Sequence, residues 1–196
     1  MDYPSFSNIK ILLASKSPRR RALLKELGVK VEIIEPLHGN ERYPLHLKAH
    51  EIPVFLAIEK AKACRAPQQT GEILLTADTI VWLNDEVIEK PAVRDEAYLM
   101  LRKLSGKVHE VFTGVCLTTC DKQVTFFDSA KVYFKELNNF EIEFYLDHYK
   151  PYDKAGAYGI QEWIGFIGIE KIEGSYFNVV GLPIQKVYQE ILKLIS

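Results

Sequence analysis

From Ile73 to Leu83 the chain runs Ile-Leu-Leu-Thr-Ala-Asp-Thr-Ile-Val-Trp-Leu. The run has the length and composition of a buried strand, yet it carries a carboxylate, Asp78, near its middle. A carboxylate among apolar neighbours is costly unless a cation or metal accompanies it. The fold must therefore bring a positive partner to Asp78 or put the residue to chemical use. The plainer alternative is an Asp at a strand end bonding local backbone. On this feature alone the two readings weigh equally.

The rest of the pattern alternates strands and helices. Ile9–Ala14 reads as a buried strand. Ser17 and Pro18 then supply an N-cap and a first helical residue for a helix from about Arg19 to Leu27, stopped at Gly28. Val31–Ile34 is a second strand. Residues 35 to 50, with His38, Gly39, Asn40, His46 and His50, read as a long loop of the kind that often carries function. Pro53 opens a helix to about Cys64. Asn84-Asp85 turns the long strand into Glu86–Ile88, and Asp95–Leu104 is helical. Val108–Cys120 and Gln123–Tyr133 form a hairpin around Asp121-Lys122. Asn138 and Glu141 make a capping box for a helix to about His148. Residues 155 to 181 are Gly-rich and are expected to hold short strands and tight turns. Pro183 starts a final amphipathic helix to Ile195. Strands and helices mix without strict alternation, which points to a mixed α/β sheet.

Charge excludes one class of function. The 25 basic and 26 acidic side chains leave a net charge of -1, without the basic excess of a nucleic-acid binder. No stretch approaches the roughly 20 apolar residues of a membrane span. The three cysteines, Cys64, Cys116 and Cys120, show no metal-knuckle spacing and suit buried thiols in a reducing compartment. A cytoplasmic protein is expected.

Four polar clusters interrupt the apolar pattern. Ser15-Lys16-Ser17-Pro18-Arg19-Arg20 lies between a strand and a helix start, where free backbone N–H groups and the helix dipole favour an anion. The guanidinium forks suit phosphate oxygens. A capped helix with a solvated basic face remains the alternative. Ala77-Asp78-Thr79 offers a carboxylate for a divalent ion or for a water's proton. Glu89-Lys90-Pro91 offers a point charge. Lys154 to Gln161 combines glycines, which allow close backbone approach, with an amide that reads both a donor and an acceptor edge. Glu41 and Lys60 alone are ordinary surface charges. His109, on a strand, suits a structural role.

Taken in order, these segments resemble the Maf (septum formation inhibitor) family. The matching motifs are Leu12–Arg20, Glu59-Lys60-Ala61, Ala77–Val81, Glu89-Lys90-Pro91, Leu104–His109, Gly156–Gln161 and Gly174-Ser175-Tyr176 followed by Val179–Pro183. The resemblance covers nearly the whole of 1–196 as a single Maf-like domain. It implies a Maf/inosine triphosphatase-like α/β fold: an elongated, twisted mixed sheet flanked by helices, with two lobes around a central cleft.

The resemblance also implies a nucleoside triphosphate pyrophosphatase that cuts between the α and β phosphates with a divalent cation, Mg²⁺ or Mn²⁺. By motif, Ser15 and Arg20 contact phosphates, and Lys60 and Lys90 neutralise phosphate charge. Asp78 is the essential acid, as general base or metal-associated carboxylate, and Gln161 lies at the nucleotide end. Counting back from Lys60 makes Glu41 the loop carboxylate, with Glu35 its competitor. The Gly-Ala-Tyr-Gly-Ile-Gln form resembles the branch acting on dTTP and UTP. Small residues usually follow that Gln in the family, whereas Glu162-Trp163 stand here. A homodimer follows by analogy only, and a non-catalytic nucleotide-binding regulator of division is the rival reading.

Overall fold

A computed structural model describes residues 9–35, 42–64, 67 and 69–195. Seven strands form one mixed sheet, flanked by helices, in the order β2-β1-β3-β5-β6-β7, with β4 paired to β3. They are β1 Lys10–Leu13, β2 Lys30–Ile33, β3 Glu72–Leu83, β4 Glu86–Ile88, β5 Val108–Thr118, β6 Gln123–Phe134 and β7 Ile169–Gly174. The helices are α1 Pro18–Glu26, α2 Glu51–Lys62, α3 Arg94–Leu104, α4 Asn139–Tyr149, α5 Trp163–Gly168, α6 Tyr176–Val180 and α7 Ile184–Ile195. β1 runs parallel to β2 and β3, whereas β3–β4 and β6–β7 are antiparallel. The chain forms two compact units: one from 1–78, 113–128 and 181–196, the other from 79–112 and 129–180.

The first unit is built on strand alternation. Side chains along a strand point to opposite faces with period two. Ile11 and Leu13 of β1 and Ile73, Leu75 and Ala77 of β3 join a core with Leu24 of α1 and Val187 and Ile191 of α7. Leu12, Ala14 and Leu74 join the opposite cluster, with Ala57 and Ala61 of α2. Helix α1 starts as expected: Pro18 stands at its head and the Ser17 side chain accepts from the Arg20 N–H. Helix α2 begins at Glu51, two residues before Pro53, and the Glu51 carboxylate accepts from the Lys48 N–H at 2.9 Å. Gly114 lets β5 approach the start of α2, since a Cβ there would sit 2.3 Å from the Pro53 carbonyl carbon. Cys116 is buried and Cys64 half-buried, but Cys120 is exposed. It lies where β5 leaves the core for the Asp121-Lys122 turn, so the expectation of three buried thiols fails there.

The second unit packs α3 against α4 and holds the later parts of β3 and β6. Asn84 and Asp85 both take positive φ, 53° and 62°, the backbone that a tight two-residue hairpin requires. The capping box forms: Asn138 accepts from the Glu141 N–H and Glu141 reaches back to the Asn138 N–H. Arg94 of α3 pairs with Glu143 and, at 2.7 Å, with Asp147 of α4. The Gly-rich stretch holds a single strand, β7, together with a 3₁₀ turn at Ala155–Ala157 and two short helices, α5 and α6. Several short strands were expected. In α5, Gly165 instead lets the helix sit close on the backbone of the turn before it, because a Cβ there would fall 2.0 Å from the Ile160 carbonyl oxygen.

His109 lies buried in this unit, with a stacked Phe134 ring at 5.6 Å and an edge-on Tyr158 ring at 5.4 Å. Its Nε2 shares a hydrogen bond with the Tyr158 hydroxyl at 2.8 Å, while Nδ1 has no partner among the described residues. Burial pushes its pKa down from 6.5 to about 3. Above pH 6.5 both folded and unfolded chains leave this imidazole neutral. Below it the unfolded chain takes up a proton that the folded chain refuses, so stability falls as pH drops toward 3, by about 1.4 kcal/mol per unit. Between pH 6.5 and pH 5 the loss from this group is about 2 kcal/mol. Urea unfolding at the two pH values is expected to show it, and His109→Gln is expected to remove most of that slope.

Candidate active site

Asp78 is the last residue of the first unit, and strand alternation decides what it meets. Leu74, Thr76 and Asp78 share the β3 face that looks onto α2. Leu74 packs in the α2 cluster, and the buried Thr76 hydroxyl donates to the Ala57 carbonyl at 2.6 Å. Two residues on, Asp78 meets Lys60, three positions along α2 from Ala57 and therefore on the same helix face. The Lys60 ammonium donates to Asp78 Oδ1 in a close ion pair whose side chains are 21% and 15% exposed. This is the cation that the sequence requires for the carboxylate.

The segment between β1 and α1 comes to the same stretch of β3. Ser15 is buried, and its Oγ accepts from the Ser17 N–H at 3.2 Å and from Arg20 Nη1 at 3.3 Å. Arg20 also donates from Nη1 to the Ala77 carbonyl at 2.9 Å and from Nε to the Gly181 carbonyl at 2.8 Å. One guanidinium thus ties together the start of α1, the middle of β3 beside Asp78 and the approach to α7. Burial lowers its pKa, Asp78 raises it and Arg19 lowers it. An arginine starts so high that it remains charged at neutral pH. The structure therefore gives Arg20 backbone carbonyls to hold, a duty that the phosphate-contact expectation did not include. The carbonyls of Ala77 and Gly181 were the part of the site missed from sequence. Both belong to motifs singled out there, but a carbonyl acceptor carries no side-chain signal.

Lys90 and Gln161 belong to the second unit. Both are exposed, and their segments are joined where the Gly156 N–H donates to the Glu89 carbonyl at 3.0 Å. Gly156 takes φ +71°, and a Cβ there would meet Val81 at 3.1 Å. Glu41 lies outside the described residues, as do His38, Gly39 and Asn40; Glu35 is exposed. Among the described residues no three His, Cys, Asp or Glu side chains gather into a metal cluster.

The ordered set from Ser15 through Asp78 to Gly181 has a counterpart in known proteins. The pattern of the Maf-like protein family matches residues 10–194. The chain belongs to this family. A Maf relative from Phocaeicola vulgatus, named dTTP/UTP pyrophosphatase, is 56% identical over 94% of this chain and 96% of its own. One from Parabacteroides distasonis, with the same name, is 54% identical over 93% and 94%. A third, from Flavobacterium psychrophilum, also so named, is 48% identical over 95% of each. In fold, the chain is similar to a solved HAM1 protein from Coxiella burnetii, with a TM-score of 0.51 at 14% identity over 94% of this chain and 99% of that one. Among the described residues no helix is long and apolar enough to cross a membrane.

The Arg20 clamp is open to test. Lysine keeps the charge but offers a point donor in place of a fork, so it cannot serve the Gly181 and Ala77 carbonyls together. Arg20→Lys is expected to lose about 2 kcal/mol of stability, read as a drop in Tm of roughly 4–8 °C for a chain of this size.

Proposed function

We propose that the chain hydrolyses dTTP and UTP to the nucleoside monophosphate and pyrophosphate. The observation that carries this reading is the Lys60–Asp78 pair beside the Ser15–Arg20 segment, in a Maf chain whose relatives bear that activity in their names. Water attacks the α-phosphorus, the bond from that phosphorus to the α–β bridging oxygen breaks, and pyrophosphate leaves with the electron pair. Asp78 takes the water's proton, the role of a carboxylate positioned within reach of the attacking water. A serine oxygen that already accepts twice retains one proton to give, and Ser15 gives it to a phosphate oxygen. The N-terminus of α1 faces the same anion.

A triphosphate brings roughly four negative charges, and stabilising them dominates phosphoryl chemistry. Lys60 answers part of this charge when the phosphates draw it from Asp78. The field of Arg20 answers another part, and the family resemblance assigns a further part to Lys90 and the base to Gln161. The donor set also suits Mg²⁺ or Mn²⁺: such ions take one or two carboxylates plus substrate phosphate oxygens and do not need a closed protein cage. Asp78 would be one such ligand and, by motif alone, Glu41 the second. When bound, the ion offsets phosphate charge and lowers the pKa of a coordinated water.

Two outcomes are expected. Asp78→Asn keeps the shape and removes the base, so pyrophosphate release from UTP with Mg²⁺ should fall by at least about 10²-fold while circular dichroism stays unchanged. Wild-type rates in that variant would end the assignment. Across a panel of nucleotides, kcat/KM for dTTP and UTP should exceed that for GTP by at least about tenfold, or 1.4 kcal/mol; equal rates for all bases would remove the pyrimidine claim.

A further inference from the structure

We infer that Glu162 and the Tyr145 hydroxyl are positioning residues: together they clamp both ends of the turn that presents Gln161. This inference rests on the reading of Gln161 as the base-facing side chain. The Gly159 carbonyl accepts from the Glu162 N–H at 3.0 Å, so residues 159 to 162 close a hydrogen-bonded turn with Ile160 and Gln161 at its centre. Ile160 is buried and anchors one corner, which leaves Gln161 exposed at the other.

One hydroxyl grips this turn from below. Tyr145 of α4 is fully buried. Its oxygen accepts from the Gly159 N–H at 3.0 Å and its proton goes to Glu162 Oε2 in a close hydrogen bond. The other carboxylate oxygen, Glu162 Oε1, pairs at 3.0 Å with the buried ammonium of Lys154, which also binds Asp153 at 2.7 Å. Burial and the Glu162 carboxylate raise the Tyr145 pKa well above its ordinary value, so the phenol stays a donor at working pH.

Glycine at 159 is part of the device. A Cβ there would fall 2.7 Å from Glu162 Cδ, so only a bare backbone lets the carboxylate fold back against the turn. Beyond it, the Glu162 carbonyl accepts from the Gly165 N–H at 2.8 Å and opens α5. A partly buried ionic network is costly to desolvate, and here it fixes the two ends of the turn that carries an exposed glutamine. An amide discriminates a base edge only if it cannot relax toward the wrong one.

The test uses the full chain, with Tyr145→Phe and Glu162→Gln as near-isosteric variants. Hydrogen exchange of the Gly159–Gln161 amides and steady-state hydrolysis of UTP with Mg²⁺ are measured on each. Tyr145→Phe is expected to speed exchange of the turn by about tenfold or more and to raise KM for UTP by about tenfold, with kcat within twofold. Glu162→Gln keeps an acceptor for the tyrosine and loses the charge facing Lys154, so its KM should rise by less, about threefold. Unchanged exchange in Tyr145→Phe overturns the clamp. Faster exchange with an unchanged KM overturns its link to substrate, as does a fall in kcat at constant KM. A wild-type chain that releases no pyrophosphate from UTP sinks the proposed function instead, and the exchange arm still decides whether the turn is clamped.

Discussion

The ion pair between Lys60 and Asp78 is the constraint around which the first unit is arranged. Strand β3 cannot bury Asp78 unless α2 delivers a cation to the same face, and α2 does so only in the register that also places Thr76 under the Ala57 carbonyl. A slip of one residue along β3 would turn the carboxylate into the cluster of Ile11, Leu13 and Leu24, since strand side chains change face with every step. It would also strand a buried hydroxyl, at a cost of about 1–3 kcal/mol. The close approach at Gly114 holds the start of α2 against β5, so helix and strand are fixed at more than one point. An expensive charge thus becomes a marker of register as well as a chemical group.

Arg20 shows the same economy in a different form. Strand β3 at Ala77 and the turn leading to α7 at Gly181 each present a carbonyl to the same side chain, and buried carbonyls need donors. A planar guanidinium reaches Ala77 and Gly181 at once and still contributes a positive field to the place where phosphate would sit. Because its geometry is already committed, that field needs little reorganisation when an anion arrives, which is the feature that makes fixed dipoles and charges effective in phosphoryl chemistry.

Much of this was legible in the residues. The Ser17-Pro18 start of α1, the Asn138–Glu141 capping box and the Asn84-Asp85 turn each follow from one local rule, and all three are present. The contacts of Ser15 with Arg20 and of Lys60 with Asp78 follow no such local rule: the family resemblance grouped these residues, since periodicity fixes a side chain's direction but not which element it meets. Three things were not legible. The start of α2 at Glu51 depends on a carboxylate reaching back to Lys48, which overrides the proline signal. The stretch from 155 to 181 held fewer strands and more helix than its glycines suggested, since glycine marks close approach without saying what approaches. The carbonyl partners of Arg20 leave no trace in sequence at all, because every residue has one.

In the second unit two buried tyrosines flank one short turn. Tyr158 is held by His109 on one side, and Tyr145 holds Gly159 and Glu162 on the other. Each phenol places its ring in the core and spends its hydroxyl on a single defined partner set, an arrangement suited to rigidity because an aromatic side chain has few torsions to lose. Gln161 itself makes no large contribution to the core, being exposed. A polar residue at a braced, exposed tip is poorly explained as packing and well explained as recognition, since hydrogen-bonding sites reject a wrong partner only when their own groups cannot move to meet it.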